Sequence, residues 1–196
     1  DRKDAPNIFP IFEEAGYTVA RGYNDYKAKS KDAGKMILIQ EEGKDPSCLP
    51  YAIDRKSDDL TLAQITESAI DFLTKGKNKG FFLMVEGSQL DDYGHFNDID
   101  LLMQETHDFD RTIGRIFEWA AQDGETLVVV TADHETGGLT LVDGDLNEGR
   151  IVCKFSTGGH SGVMVPVYAF GPGAENFTGI FENTDIFWKI KKLLNL

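Results

Sequence analysis

Positive charge is scarce in this sequence: 20 Lys and Arg stand against 33 Asp and Glu, a formal charge of -13. A field of that sign opposes contact with nucleic acid phosphates or with an anionic membrane surface, so neither is an expected partner. It also repels a phosphate ester at long range, and an anionic substrate would need local cations, such as bound metal, to overcome it. Cysteine is scarcer still. Cys48 and Cys153 lie far apart and form no metal motif, which excludes a disulfide framework or a thiolate zinc cluster. Two thiols are the expectation, with one disulfide as the alternative. No apolar run approaches the roughly 18 to 20 residues of a membrane-spanning helix. The start, Asp1 to Asn7, is polar and shows neither an initiator Met nor a targeting pattern, so it reads as a segment of a longer polypeptide.

What is present suffices for one domain with a real core: 196 residues, 41% hydrophobic and 27% charged. Early in the chain the pattern predicts a helix around Ala5 to Glu14, a strand near Tyr17 to Ala20 and a second strand, Met36 to Gln40, with a charged stretch between the strands. Residues 42–59 turn to Gly, Pro, Ser and charge, the composition of a surface connection. Thr61 with Gln64 three places on is a capping-box start, and Leu62, Ile65, Ala69, Phe72 and Leu73 follow at helical spacing to about Lys75.

After Gly80, the run Phe81-Phe82-Leu83-Met84-Val85 has strand length and suits a sheet covered on both faces. A polar loop follows. Leu102, Phe109, Ile113, Ile116, Phe117 and Ala120 then mark a long amphipathic helix ending near Gly124, and Leu127 to Thr131 is the next strand. Strand, helix, strand predicts a parallel pair joined by a right-handed crossover, with chemistry on the loops at the strands' C-terminal ends. Beyond lie a strand at Leu139 to Val142, a segment Ile151 to Phe155, a strand Val165 to Phe170 and a last helix, Asp185 to Leu194.

Three of the four histidines keep the company of carboxylates and glycines: His95 in Asp91-Asp92-Tyr93-Gly94-His95, His134 in Thr131-Ala132-Asp133-His134, and His160 in Gly158-Gly159-His160-Ser161-Gly162. Taken singly, an Asp-His pair is more often a surface turn. The conjunction of three such loops at strand ends points to a metal centre, and the thiol-free set suits catalytic rather than structural zinc. His107 lies on the polar face of the long helix and is expected to face solvent, as are Asp108 and Asp110. Ser88, Ser156 and Ser161 occupy neighbouring loops, but none precedes a small-residue helix start that would activate a hydroxyl.

From about Ser57 onward the sequence resembles the alkaline phosphatase family. Gly80 to Gly87 is similar to the strand leading to that family's magnesium-ligand Glu, Asp91 with His95 to its zinc Asp and His, and Thr131-Ala132-Asp133-His134-Glu135 to its second Asp-His pair. His160-Ser161-Gly162 resembles the late zinc His, and Val167 to Gly173 the strand and turn after it. The resemblance implies that Asp91, His95 and His160 hold one zinc, Asp133 and His134 a second, and Glu86 a magnesium. Asp92 sits where family members vary, some having Lys or His. A carboxylate there alters magnesium and phosphate contacts, or is simply a solvated loop charge.

The resemblance further implies an α/β three-layer sandwich with a mostly parallel central sheet flanked by helices. It implies a parent protein, a homodimer in the periplasm or secreted, that hydrolyses small phosphate monoesters through a phosphoserine intermediate. The family's nucleophilic Ser within Asp-Ser-Ala, its Arg and its early bridging Asp have no counterpart here. No catalytic nucleophile is therefore identified, the second zinc lacks one carboxylate, the magnesium keeps one protein ligand, and the chain alone is expected to be inactive. The missing strands would expose sheet edges and apolar surface, which makes self-association an expectation. A phosphodiesterase or phosphoglycerate mutase of the wider superfamily is an alternative, against which Val85-Glu86-Gly87 argues. A zinc- or phosphate-binding module without turnover is another.

Overall fold

The computed structural model describes residues 7–44, 48–76 and 80–196. Ala5, the expected start of the first helix, lies outside them, as do residues 45–47 of the expected surface connection. The chain divides into two compact units, Asp1–Glu86 and Gly87–Leu196.

The first unit is built on two short parallel strands, β1 (Thr18–Arg21) and β2 (Met36–Ile39), in register from Thr18 opposite Met36 to Arg21 opposite Ile39. Helix α1 (Ile8–Glu14) precedes them, and α2 (Tyr23–Lys29) lies in the connection between them. The sequence shows only a charged stretch where α2 forms, because its apolar face is little more than Tyr26. That residue is buried and donates its hydroxyl to the Ser68 carbonyl at 2.6 Å, which ties α2 to α3 (Leu62–Leu73). Asp25 accepts from the Arg21 backbone at 2.9 Å and from Lys29 Nζ at 2.7 Å, clamping the turn from β1 into α2. The Lys29 bond, with help from the backbone donor and against a small burial effect, holds its carboxyl below the ordinary range. The described part of residues 42–59 contains no helix or strand, and Lys44 there pairs with Asp58 at 3.1 Å and Asp59 at 2.6 Å.

Residues 80–86 run extended but belong to no strand ladder among the described residues. Their side chains alternate between half-buried and exposed, with Phe82 63% and Met84 75% exposed. The run was expected to be covered on both faces; here only one face is covered.

The second unit opens with α4 (Gln89–Phe96) and α5 (Ile99–Asp123). The bend between them needs Asn97 in the left-handed region, at φ 56°, and Asp98 caps α5 by accepting from Leu101 N at 3.0 Å. Gly124, at φ 73°, ends α5 as the sequence predicts. Then come β3 (Val128–Thr131), β4 (Glu135–Thr136), the hairpin β5 (Thr140–Asp145) and β6 (Arg150–Lys154), β7 (His160–Ser161), β8 (Val167–Phe170), a 3-10 turn (Ala174–Phe177) and α6 (Asn183–Leu193).

Strand partners depart from expectation. Among the described residues the strands pair two by two, and only β1–β2 is parallel. Within the second unit β3 pairs antiparallel with β8, Val128 opposite Phe170 and Thr131 opposite Val167. The turn after β8 brings the two segments close together. Gly171, at φ 99°, sits so close to the Thr126 carbonyl that an added Cβ would lie 2.2 Å from its oxygen, an approach open only to glycine. Phe170 then meets Phe117 of α5 with ring centroids 5.2 Å apart. Both cysteines remain thiols, Cys48 exposed and Cys153 half-buried, and no helix among the described residues is long and apolar enough to cross a membrane.

The capping box at α3 is reciprocal: Gln64 N donates to Thr61 Oγ1 and Thr61 N to Gln64 Oε1, both at 3.1 Å. Thr61→Ala should lower unfolding stability by about 1 kcal/mol in urea titration. Thr61→Ser should lose little. Equal loss from both variants would show that the methyl packing, not the cap, matters there.

Candidate metal centre

The centre is assembled where α4 meets β4. Asp91 and His95 are one helical turn apart, so α4 presents both on one face. The sequence spacing already contained this relation, but with few apolar residues the segment reads as a polar loop. The helix gets close to β4 because two glycines meet at the crossing. A Cβ on Gly94 would lie 3.0 Å from Thr136 Cβ and Cγ2, and one on Gly137 would lie 2.8 Å from the Gly94 carbonyl oxygen.

β4 pairs antiparallel with β7, which sets His160 opposite Thr136 and Ser161 opposite Glu135. The loop before β7 is tied back on the same glycine: Gly137 N donates to Gly159 O at 2.8 Å, and Ser156 and Thr157 N donate to Gly137 O at 3.0 and 3.1 Å. Glu135 stiffens the turn by accepting the Ser161 hydroxyl and the backbone N–H groups of Gly138 and Leu139, each at 3.0 Å. The Ser161 bond foremost, then those two donors, hold its carboxyl below the ordinary range against the effect of burial.

Within this frame His95 Nδ1 lies 2.7 Å from the Gly158 carbonyl oxygen. A carbonyl only accepts, so Nδ1 carries the proton and Nε2 presents a lone pair. That Nε2 is 3.2 Å from Asp91 Oδ2 and 3.2 Å from His160 Nε2, while His160 Nε2 is 3.7 Å from Asp91 Oδ1. Four-coordinate zinc with bonds of about 2.0 to 2.1 Å has ligand-to-ligand edges of about 3.3 Å. The three groups thus form a face of nearly the right size, made of imidazole nitrogen and carboxylate oxygen, and the donor set fits the ion. Asp133 Oδ2 and His134 Nε2, 3.3 Å apart, form a second such edge. The rings of His134 and His160 stack with centroids 3.5 Å apart. A third grouping, Asp91, His134 and His160, has ligand atoms within 4.8 Å of one another, a looser set than either of these.

Burial raises the pKa of Asp91, but the Thr136 hydroxyl and the three imidazoles outweigh it, so the carboxyl is held below its ordinary value and is ionised at neutral pH. Asp133 is 88% exposed on its side chain and His134 28%. Asp92 is half-buried on α4, roughly 100° around the helix from Asp91. Glu86 closes the first unit with an exposed side chain. His107 and Asp110 are exposed on α5, and Asp108 is half-buried with its carbonyl accepting the Thr112 hydroxyl. Ser156 donates to the Gly138 carbonyl at 3.3 Å and Ser161 to Glu135. Sequence reasoning passed over Thr136, Glu135 and Gly158. A signal existed for Thr136, two places after His134 and hence on the same face of an extended segment.

Comparison with known proteins places these residues in context. A family model described as alkaline phosphatase matches residues 1–149, reaching well ahead of the motifs that begin near Ser57. Alkaline phosphatase 3 of Bacillus subtilis (strain 168) is 33% identical over 264 residues, covering 99% of this chain and 55% of that protein. That alignment is longer than the chain, so the relative carries residues within the matched span that this chain lacks. Alkaline phosphatase from the Antarctic bacterium TAB5 superposes with a TM-score of 0.85 at 39% identity, over 99% of this chain and 56% of that one. A variant of that enzyme with Mg bound gives 0.85 at 37% identity, over 99% and 57%. The fold is thus alkaline phosphatase-like, and the chain spans about half the length of the relatives it matches.

Two outcomes are expected. Asp91→Ala and His160→Ala should each weaken zinc binding in calorimetric titration by more than the roughly 10- to 100-fold of an outer-sphere change, with His107→Ala at wild-type affinity. Equal effects from all three would refute the grouping. Gly94→Ala should also weaken zinc while leaving helix content intact by circular dichroism, since its methyl displaces Thr136 rather than α4.

Proposed function

The chain belongs to the alkaline phosphatase family, and from that premise we propose that it is the metal-binding portion of a zinc- and magnesium-dependent phosphomonoester hydrolase. Asp91, His95 and His160 hold one zinc, Asp133 and His134 contribute to a second, and Glu86 is a magnesium ligand. The observation that carries the reading is the convergence of a carboxylate and two imidazole nitrogens at 3.2, 3.2 and 3.7 Å from two segments of chain far apart in sequence, α4 and β7. When bound, such cations would supply positive charge that stabilises the developing charge of an in-line displacement at phosphorus.

The chain's own residues supply the setting. The Gly158 carbonyl keeps the proton of His95 on Nδ1, and Asp91 stays ionised, so both face the ion with lone pairs. The formal charge of -13 makes metal the source of the positive potential that a phosphate monoester requires. The nucleophile is a Ser outside this chain, through which the whole protein forms its phosphoserine intermediate. Neither Ser156 nor Ser161 precedes a helix start that would expose and activate its hydroxyl, which supports that assignment. In the whole protein residues 80–86 are a strand of a mostly parallel central sheet, and their exposed Phe82 and Met84 are the face that further elements cover. A homodimer in the periplasm or secreted completes the proposal, on family likeness alone.

Without that nucleophile, this chain in isolation binds zinc without turnover. Zinc content by atomic emission and hydrolysis of p-nitrophenyl phosphate, measured on one preparation, test both parts. The expected result is bound zinc with no hydrolysis above the buffer rate. Absence of zinc binding would sink the metal assignment, and zinc-dependent hydrolysis by this chain would overturn the external nucleophile.

A further inference from the structure

We propose that Thr136 is a positioning residue of the metal centre, whose one hydroxyl orients Asp91 and fixes the proton of His134 at the same time. The inference deepens the metal reading above and rests on it. Thr136 Oγ1 makes a close hydrogen bond to Asp91 Oδ1 and lies 3.2 Å from His134 Nδ1. A hydroxyl has one hydrogen to donate and lone pairs to accept with. A carboxylate only accepts, so the hydrogen goes to Asp91, and the contact with His134 can be a hydrogen bond only if Nδ1 donates. His134 therefore carries a proton on Nδ1, which leaves Nε2 as the nitrogen that can turn a lone pair to metal.

That nitrogen faces Asp133 Oδ2 at 3.3 Å, the edge length of a zinc tetrahedron. Without the Thr136 hydroxyl the cheaper arrangement is the other tautomer, in which Nε2–H donates to Asp133 and the lone pair is lost to metal. Thr136 thus does for His134 what the Gly158 carbonyl does for His95, with a further consequence. Because the same oxygen holds Asp91, the two candidate ligand groups are linked through one side chain.

Its own position leaves little freedom. It sits opposite His160 in the β4–β7 pair, its β-branched side chain restricts χ1, and its methyl lies against Gly94 of α4. A rotation that broke the Asp91 bond would drive Cγ2 into that helix.

Long-range 1H–15N correlation on metal-free, 15N-histidine-labelled full chain reads the tautomer directly, and zinc titration of the same samples reads the consequence. Wild type and Thr136→Ser are expected to show a protonated His134 Nδ1 and an unprotonated Nε2. Thr136→Val, close in shape but without the hydroxyl, should shift His134 toward Nε2–H and lose about 10- to 100-fold in zinc affinity, with Thr136→Ser close to wild type. A wild-type His134 in the Nε2–H form would overturn the proposal whatever the Val variant does, as would a Val variant that binds zinc like wild type. If wild type binds no zinc, the metal reading fails, and the tautomer spectra still decide the role of Thr136.

Discussion

The crossing of α4 over β4 is the contact on which the second unit's chemistry depends. Two ligands on a helix, one on β7 and one just ahead of β4 converge only if the backbones come closer than side chains ordinarily permit. Gly94 and Gly137 remove the two Cβ atoms that would hold them apart. The cost is a short helix with glycine near its end and little intrinsic stability. Its retention falls to the bonds that radiate from the crossing: Gly137 to Gly159, Thr157 to Gly137, His95 to Gly158 and Thr136 to Asp91. Three of the four end on a candidate ligand or on a residue next to one, so anything that loosens the crossing also disperses the ligand set.

The electrostatics follow from the same closeness. Bringing Asp91 and three imidazoles together without a Lys or Arg among them makes a cluster of acceptors with no fixed cation. The donors that do reach it, the Thr136 hydroxyl and the His95 Nδ1–H, are directed away from the centre, toward Asp91 Oδ1 and the Gly158 carbonyl. Outer groups thereby absorb the protons and leave inward lone pairs. Metal binding to such a site is folding free energy as well as affinity, since the ligands are gathered only in the folded chain. An acidic chain gains from this arrangement, because the local field becomes positive without altering the surface.

How much of this the sequence disclosed depended on whether the signal was local. The capping box at Thr61, the α5 stripe ending at Gly124 and the strands at β3 and β8 are short-range patterns and were legible. The candidate ligands stand out in the sequence for a chemical reason, His beside Asp and Gly in three loops, and the structure brings Asp91, His95, His134 and His160 close together. Helices α2 and α4 were not legible, because each has too few apolar residues to produce a period of 3.6, and tertiary bonds such as Tyr26 to Ser68 hold what propensity does not. The partner of β3 was not legible either. Order along the chain suggests a parallel neighbour, whereas the ladder β3 makes among the described residues is antiparallel, with β8, far along the sequence. Thr136 escaped for a different reason: a threonine in a strand is compatible with any environment, and only its two partners reveal its use.

The run at 80–86 shows where local pattern and local structure part. Five consecutive apolar side chains specify a strand with both faces covered, and such a composition carries a standing cost wherever one face meets water. Phe82 and Met84 bear that cost here, while Phe81, Leu83 and Val85 are half-buried. The hairpin β5–β6 bears a similar one, with Leu141, Leu146 and Ile151 exposed along it. Sequence composition is set by the environment in which a segment is selected, so apolar residues at these positions argue for cover supplied by more polypeptide than the chain contains. The match to only about half the length of the Bacillus subtilis relative points the same way. The ligand cluster is free of that dependence, since every bond that orients Asp91, His95, His134 and His160 is made within the second unit.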